Sequence, residues 1–456
     1  MNRSDLPFTL ERIGFTTGSA DSAVGAALGN NDPVSVERTL NIPSDFATSQ
    51  PYWLRAEPSP GAFATPDQQM VGLAENPPPV EVVFTLRSGG LRLEYQVPVL
   101  YRWTDRVDGE LYRQLEIRPP VTLNVEEKVA VFTGNTPRTV TVHVKGQSAG
   151  VSGQIRLAGP AGWGISPASV PFTLTDKYEE TQAEFQVSAP ADGDDAVGEA
   201  ELRAEATVAG TTYSGELVEI TYPHIGTATY FPEARIAAVK IPMDRPEGLI
   251  GYVMGAGDKI PAFLRNIGYD VVEFDDVLLE NADLSSYDAI ITGVRAYNTR
   301  ERLPYARSRL MEYVRNGGTL VVQYNVTSGL LTPDIGPYPF TISRDRITDE
   351  TARVSFSDPN HQLRHFPNEI TENDFDGWVQ ERGLYFANQW DDSYEPVLFG
   401  HDPGESDVAG GLLFTRYGDG VFIYSGYAWF RQLPAGVPGA YRLFVNMLSA
   451  GKYDGS

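Results

Sequence analysis

The sequence has no cysteine, which excludes disulfides, thiolate metal sites and thiol nucleophiles. Lysine is nearly as scarce, supplying only six of the 36 basic residues, and five histidines leave few nitrogen ligands for a metal. No stretch approaches the roughly 18 consecutive apolar residues of a membrane-spanning helix, so no membrane insertion is expected. Behind Met1-Asn2-Arg3-Ser4-Asp5 there is no apolar signal region. Phe8 to Ile13 already alternates like a strand, so the start reads as a cut into a longer protein, with Met1 an added initiator. Positive charge is in deficit overall, at a net −24. Such a surface repels phosphate backbones and anionic lipid, and nucleic acid is not an expected partner. A saline or acid-rich host proteome gives the same balance.

What is present suggests a multidomain chain, with 456 residues against about 150 per domain. Up to residue 223 the pattern is β. Val34, Val36, Arg38, Leu40 and Ile42 alternate, as do Leu91, Leu93, Tyr95 and Val97. Further short strands are expected at Val80–Leu86, Val121–Val125, Thr139–Val144 and Ala200–Val208. Turn clusters separate them, among them Asn76-Pro77-Pro78-Pro79, Arg118-Pro119-Pro120 and Ala191-Asp192-Gly193-Asp194-Asp195. Short strands without helical stripes indicate antiparallel sandwiches. The expected division is a β-sandwich over 1–118, an immunoglobulin-like sandwich over 119–224 with Trp163 in its core, and an α/β domain over 225–456. Pro223 to Gly248 reads as a linker with one strand, Ile236–Ile241.

Periodicity changes after residue 248. Leu249–Met254 is a buried strand, and Ile260, Phe263, Leu264 and Ile267 fall at i, i+3, i+4, i+7, the stripe of a helix stopped by Gly268. Strands at Val271–Phe274, Ala289–Val294 and Thr319–Tyr324 follow, with a helix carrying Leu303, Ala306, Leu310 and Val314 between the last two. The chain closes with a hairpin through Gly418-Asp419-Gly420 and a helix burying Tyr441, Phe444, Met447 and Leu448.

In an open parallel sheet, ligands bind beyond the carboxyl ends of the strands. Three segments should meet there: Gly255 to Asp258, Arg295-Ala296-Tyr297-Asn298 and Gln323-Tyr324-Asn325. The first is no dinucleotide fingerprint, because Ile260 stands where a third glycine belongs. The polar set Asp258, Arg295, Tyr297, Asn298, Gln323 and Asn325 suits a neutral, polyhydroxylated ligand such as a sugar. The same groups also suit strand caps that satisfy loop backbone, and both readings stand. Gly377 to Gly383 adds Trp378, Glu381 and Arg382 as a covering loop. There Glu381 is either a general acid or base or half of an ion pair with an arginine. Arg431 and Gln432 either line the same cleft or cap the last helix. His361 and His365 have helical zinc-site spacing, but Gln362 replaces the glutamate of a zincin, and Pro359 and Pro367 flank the pair. No Ser-His-Asp set emerges from spacing.

Several phrases together resemble the C-terminal region of large bacterial PIG-L family deacetylases. They are Ile250-Gly251-Tyr252 with Gly255-Ala256-Gly257-Asp258, Gly293 to Asn298, Val322 to Asn325, Gly336-Pro337-Tyr338-Pro339-Phe340, Gly377 to Phe386 and Phe430 to Phe444. Pro51-Tyr52-Trp53-Leu54, Pro66-Asp67-Gln68 and Tyr101-Arg102-Trp103 extend the resemblance over nearly the whole chain. It implies a zinc-dependent N-acetylglucosamine deacetylase whose catalytic module, opened by Ala-His-Pro-Asp-Asp, lies upstream as a partner module. That motif is absent here, and His401-Asp402-Pro403-Gly404 has the wrong order, so zinc is expected only in that module and no cofactor in this chain. The fold implied is β-sandwiches followed by a flavodoxin-like domain resembling class I glutamine amidotransferases and ThuA-like proteins. Without cysteine it has no glutaminase nucleophile. An extracytoplasmic location and a glycan or amino-sugar ligand are further implications. The functional expectation is a non-catalytic accessory region of the deacetylase. A carbohydrate-directed enzyme using Glu381 or an aspartate, and a purely structural or oligomerising module, are the alternatives.

Overall fold

The computed structural model describes residues 1–17, 21–43, 45–59, 61–191, 198–222 and 224–454. Most of the Asp-rich loop expected at 191–195, and Pro223, lie outside these. The chain is rich in β-structure divided among many small sheets. Strands β1 (Phe8–Phe15), β2 (Ser22–Leu28), β3 (Glu81–Ser88) and β4 (Leu91–Pro98) form an antiparallel sheet in the order β2-β1-β3-β4, and β5 (Leu100–Asp105) pairs with β6 (Gly109–Gln114). Residues 34–42, expected as a strand from their alternation, join no ladder. Alternation fixes which face a strand presents, not whether a neighbour offers backbone to pair with.

Next come β7 (Val121–Val125), β8 (Val129–Phe132), β9 (Arg138–Gly146), β10 (Val151–Ala158), β11 (Gly164–Ser166), β12 (Val170–Leu174), β13 (Glu180–Ser188), β14 (Gly198–Val208) and β15 (Thr211–Tyr213). A hairpin, β16 (Val218–Tyr222) with β17 (Ile225–Tyr230), precedes β18 (Arg235–Lys240). One sheet runs β12-β10-β14-β18-β8, with β15 on β14; the other runs β11-β13-β9-β7. Their facing apolar rows, including Val140, Val142 and Val144 against Leu202, Ala204 and Ala206, fill one core. Trp163 is not inside it. The indole is half-buried at the rim, edge-on to Phe132 at 5.1 Å.

The expected boundary at 224 is corrected by β18. It pairs antiparallel with β14 and parallel with β8, so the sandwich continues to about residue 241. β8 is buried on both faces, and so is β18 from Ala238 to Lys240. Ala130, Phe132, Ile236 and Ala238 point into the sandwich, while Val129, Val131, Val239 and Ile241 join the core of the C-terminal part.

That part contains β19 (Leu249–Val253), α1 (Ile260–Asn266), β20 (Asp270–Glu273), α2 (Asp276–Asn281), β21 (Ala289–Thr292), α3 (Ala296–Thr299), α4 (Leu303–Arg315) and β22 (Thr319–Gln323). It continues through β23 (Phe340–Ile347), β24 (Val354–Phe356), α5 (Gln362–His365), β25 (Gly383–Trp390), β26 (Glu395–Pro396), β27 (Leu398–Gly400), β28 (Leu412–Tyr417), β29 (Gly420–Ser425), α6 (Trp429–Gln432) and α7 (Pro438–Leu448). Seven strands make one mixed sheet, β20-β19-β21-β22-β29-β28-β26. The first five are mutually parallel; β28 runs antiparallel to β29, and β26 antiparallel to β28. Side chains of α1 and α7 share a core with Tyr252, Ile291, Val321 and Ile423 on one face. Those of α4 share another with Val253, Ile290, Val322 and Phe422 on the opposite face. Helices at both faces leave the strand ends as the free surfaces where loops converge.

Candidate functional site

The parallel register sets Val253 beside Thr292, and Thr292 beside Val322, so the loops after β19, β21 and β22 meet at one sheet end. Backbone bonds stitch them together. Ala256 N donates to Val294 O at 2.8 Å, and Arg295 N to Tyr324 O at 2.7 Å. Gly255 makes this approach feasible, since a Cβ there would sit 2.1 Å from Val294 O and 2.7 Å from Ala296 N. Beneath the loops, the Tyr252 hydroxyl donates to Asp258 at 2.7 Å and accepts from Gln323 Nε2 at 3.0 Å. Burial first, and the Asp258 charge second, push the Tyr252 phenol well above its ordinary value, so it stays a donor. Asp258 also accepts from Ile260 N and Val294 N. This aspartate ties β19 to the turn after β21.

The amides serve the same end. Asn325 accepts from Tyr297 N at 2.9 Å and donates to Gln323 O at 2.8 Å, with both of its neighbours buried. Asn298 donates to Val326 O and Ser328 O and accepts from Val326 N. The Tyr297 phenol is wholly buried without a hydrogen bond, and burial raises its pKa. These residues are strand and turn caps.

The covering loop also differs from expectation. Trp378 is 3% exposed, donates Nε1 to Asp374 O at 3.1 Å and packs on Trp429. Arg382 is equally buried. Its Nε and Nη2 donate to Ala352 O at 3.1 and 2.8 Å, its Nη1 to Phe375 O, and its guanidinium lies 5.3 Å from the Trp378 ring centre. Both belong to the core beneath the loop, because carbonyls and an indole face replace the water a guanidinium would otherwise need.

What does assemble at the strand ends is partly aromatic. Tyr324 stands 5.5 Å from Tyr385 and 5.6 Å from Phe430, centre to centre, and all three rings are half-buried. The charges of Arg295, Glu381 and Arg431 act on the Tyr324 hydroxyl, whose pKa is raised by burial first and by Tyr385 next. Arg431 Nε donates to Glu381 Oε1 at 2.9 Å, and its Nη1 to Gln380. Gln432 clamps their loop, donating to Val379 O and Glu381 O and accepting from Val379 N. An acid/base role for Glu381 would have to break its pair with Arg431.

Three residues here hold left-handed backbone without being glycine: Arg295 (φ 58°), Gln380 (φ 67°) and Tyr385 (φ 58°). Such positions cost on the order of 1 kcal/mol each and persist where surroundings impose them. One imposing contact is explicit, the Tyr424 hydroxyl donating to Tyr385 O at 2.7 Å. Of the residues expected in a pocket, Arg295, Glu381 and Arg431 thus come together. Sequence reasoning missed Gln380, Tyr385 and Phe430 as their neighbours. Tyr324 was in view, as the residue following a parallel strand.

A cavity of about 460 Å³ opens at the opposite end of the sheet, lined by Asp283, Asp288, Arg309, Tyr313, Thr319 and Lys452 among others. None of the expected site residues lines it. His361 is buried, its Nδ1 accepting from Leu363 N at 3.1 Å, and burial pushes it down to about 4. His365 instead engages Glu369 and Pro359 O, each at 2.7 Å. Asp402 accepts from Thr348 and Asp349 and closes a loop. Among the described residues no group of three or more His, Asp or Glu is placed to hold a metal, and no helix is long and apolar enough to cross a membrane.

No family model matches the chain, and no curated protein does. Similar solved structures include native alpha-2-macroglobulin from Escherichia coli, at 11% identity and TM-score 0.18, covering 35% of this chain and 8% of that one. The E. coli chaperone DraB is similar at 10% identity and TM-score 0.17, covering 28% and 63%. A crystal structure of E. coli alpha-2-macroglobulin from domain MG7 to the C-terminus gives 13% identity and TM-score 0.17, covering 26% and 16%. The chain therefore spans less than two thirds of each of these proteins.

Proposed function

We propose that this chain is a carbohydrate-binding accessory region that works beside a PIG-L-type, zinc-dependent N-deacetylase module. In this reading its C-terminal part is a flavodoxin-like, amidotransferase-like domain without a nucleophile, preceded by a β-sandwich and an immunoglobulin-like sandwich. The observation that supports it is the Tyr324–Tyr385–Phe430 cluster beside Arg295, Gln380, Glu381 and Arg431. Sugar rings bind through C–H faces laid on aromatic rings, with amides, carboxylates and guanidinium groups taking the hydroxyls. Half-buried rings of this kind, held by a clamped loop and strained backbone, are pre-organised for a flat ligand face.

The test is calorimetry of the whole chain against amino-sugar oligomers. Weak binding is expected, reduced at least about tenfold by Tyr324→Ala or Phe430→Ala, with an unchanged circular dichroism spectrum. An absence of heat across the panel, or unchanged affinity in both variants, would remove the reading. The chain alone is expected to release no acetate from N-acetylglucosamine derivatives, with or without added zinc.

A further inference from the structure

The outer edge of the N-terminal sheet has an unusual composition. β4 is paired on one side only, with β3, and among the described residues nothing else forms a ladder with it. Leu91, Leu93 and Tyr95 are 67%, 46% and 62% exposed. Edge strands are ordinarily blunted by lysine, proline or a bulge. This one has no lysine, no proline before Pro98 and an unbroken register with β3.

Its backbone phase is fixed by the hairpin. Ser88 pairs with Leu91 across Gly89-Gly90, with Gly89 at φ 57°. A two-residue turn of this kind makes its flanking pair exchange both hydrogen bonds. Val99 N donates to Val80 O at 3.1 Å, which continues the same parity. Leu91, Leu93, Tyr95 and Val97 therefore direct their N–H and C=O groups at β3. Those of Arg92, Glu94 and Gln96 point outward and are unpaired within the strand.

We propose that β4 is a self-pairing surface through which a second copy of this chain joins antiparallel, centred on Leu93, to give one continuous sheet. With the two-fold axis at Leu93, Arg92 lies opposite Glu94 of the other copy, twice by symmetry, and their outward backbone groups meet as hydrogen-bonded pairs. Leu93 then faces its own counterpart, and Leu91 faces Tyr95, joining the exposed apolar rows of both copies. Centring on Arg92 or on Glu94 would instead set like charges against each other. Glu94 has no side-chain partner among the described residues, and Arg92 has only Glu11 at 3.7 Å. The charges are thus available to a partner of the same sequence.

The absence of native cysteine permits a clean test on the whole chain. Sedimentation equilibrium is expected to show a dimer, and Leu93→Cys to give a disulfide-linked dimer on mild oxidation. Leu91→Cys, facing Tyr95, should not cross-link. Arg92→Glu or Glu94→Arg alone should raise the dissociation constant about tenfold or more, and the two together should restore it. Glu94→Pro removes an outward N–H without touching the β3 ladder and should leave a folded monomer. A chain that stays monomeric at about 100 μM, or a dimer indifferent to Glu94→Pro and to both single reversals, would overturn the proposal.

Discussion

Asn325 Oδ1 accepts the Tyr297 backbone N–H at 2.9 Å, which locks the turn after β22 onto the start of α3. Its Nδ2 is spent on Gln323 O at 2.8 Å, so the side chain has little left for a ligand. Asn325→Ala leaves a buried N–H and a buried carbonyl unpaired, and is expected to cost about 1–3 kcal/mol by urea denaturation. Unchanged stability accompanied by lost sugar binding would show instead that Asn325 faces the ligand.

Arg382 makes a second stability prediction. Its guanidinium is held by Ala352 O and Phe375 O over the Trp378 ring. Arg382→Ala removes three donors and opens a cavity, and should destabilise by about 2–5 kcal/mol. Arg382→Lys cannot span both carbonyls in the same plane and should recover only part of the loss. Equal denaturation midpoints for Arg382→Lys and the parent chain would contradict this packing.

His361 gives a signed pH dependence. Burial lowers its pKa from 6.5 to about 4, so the folded state resists a proton that the unfolded chain accepts. The associated stability is complete above about pH 6.5, declines through the interval, and is gone below about pH 4. That interval corresponds to roughly 3 kcal/mol. His361→Asn retains an acceptor for Leu363 N but does not titrate, so its stability should fall less steeply between these pH values. Parallel pH–stability curves for the two proteins would refute the assignment.

Gly255 tests the stitching of the strand-end loops. A methyl group there meets Val294 O and Ala296 N well inside contact distance. Gly255→Ala should displace the Arg295 turn, lowering both stability and any affinity that depends on Arg295. Wild-type melting temperature and affinity in this variant would show that the loops are not closely joined.

Local pattern was readable where contacts are local. The stripe Ile260, Phe263, Leu264 and Ile267 became α1, the stripe Leu303 to Val314 became α4, and the Gly418-Asp419-Gly420 hairpin links β28 and β29. The strand at Ile236–Ile241 was readable as β18, but its place in the sandwich escaped, because its parallel partner, Val129–Phe132, lies more than a hundred residues earlier in the chain, and no local period encodes such a pairing. Trp378 and Arg382 escaped for another reason. An acid, a base and an indole in a glycine-flanked stretch look exposed until carbonyls from 352 and 375 arrive to satisfy the arginine. Tyr385 and Phe430 carry no mark in their own neighbourhoods; they lie on β25 and α6, outside the seven-stranded sheet, and only tertiary packing brings them to Tyr324.

The two-sided burial of β8 and of the end of β18 decides how the molecule comes apart. Cutting the chain at 224 would extract an interior strand from the sandwich, and cutting after 241 would bare Val129, Val131 and Val239, against which the Gly436 turn closes. Neither fragment keeps a whole surface. Heating should therefore melt the region from 121 onward as one cooperative calorimetric unit, in which damage to α7 is felt in the sandwich and loss of β18 in the seven-stranded sheet.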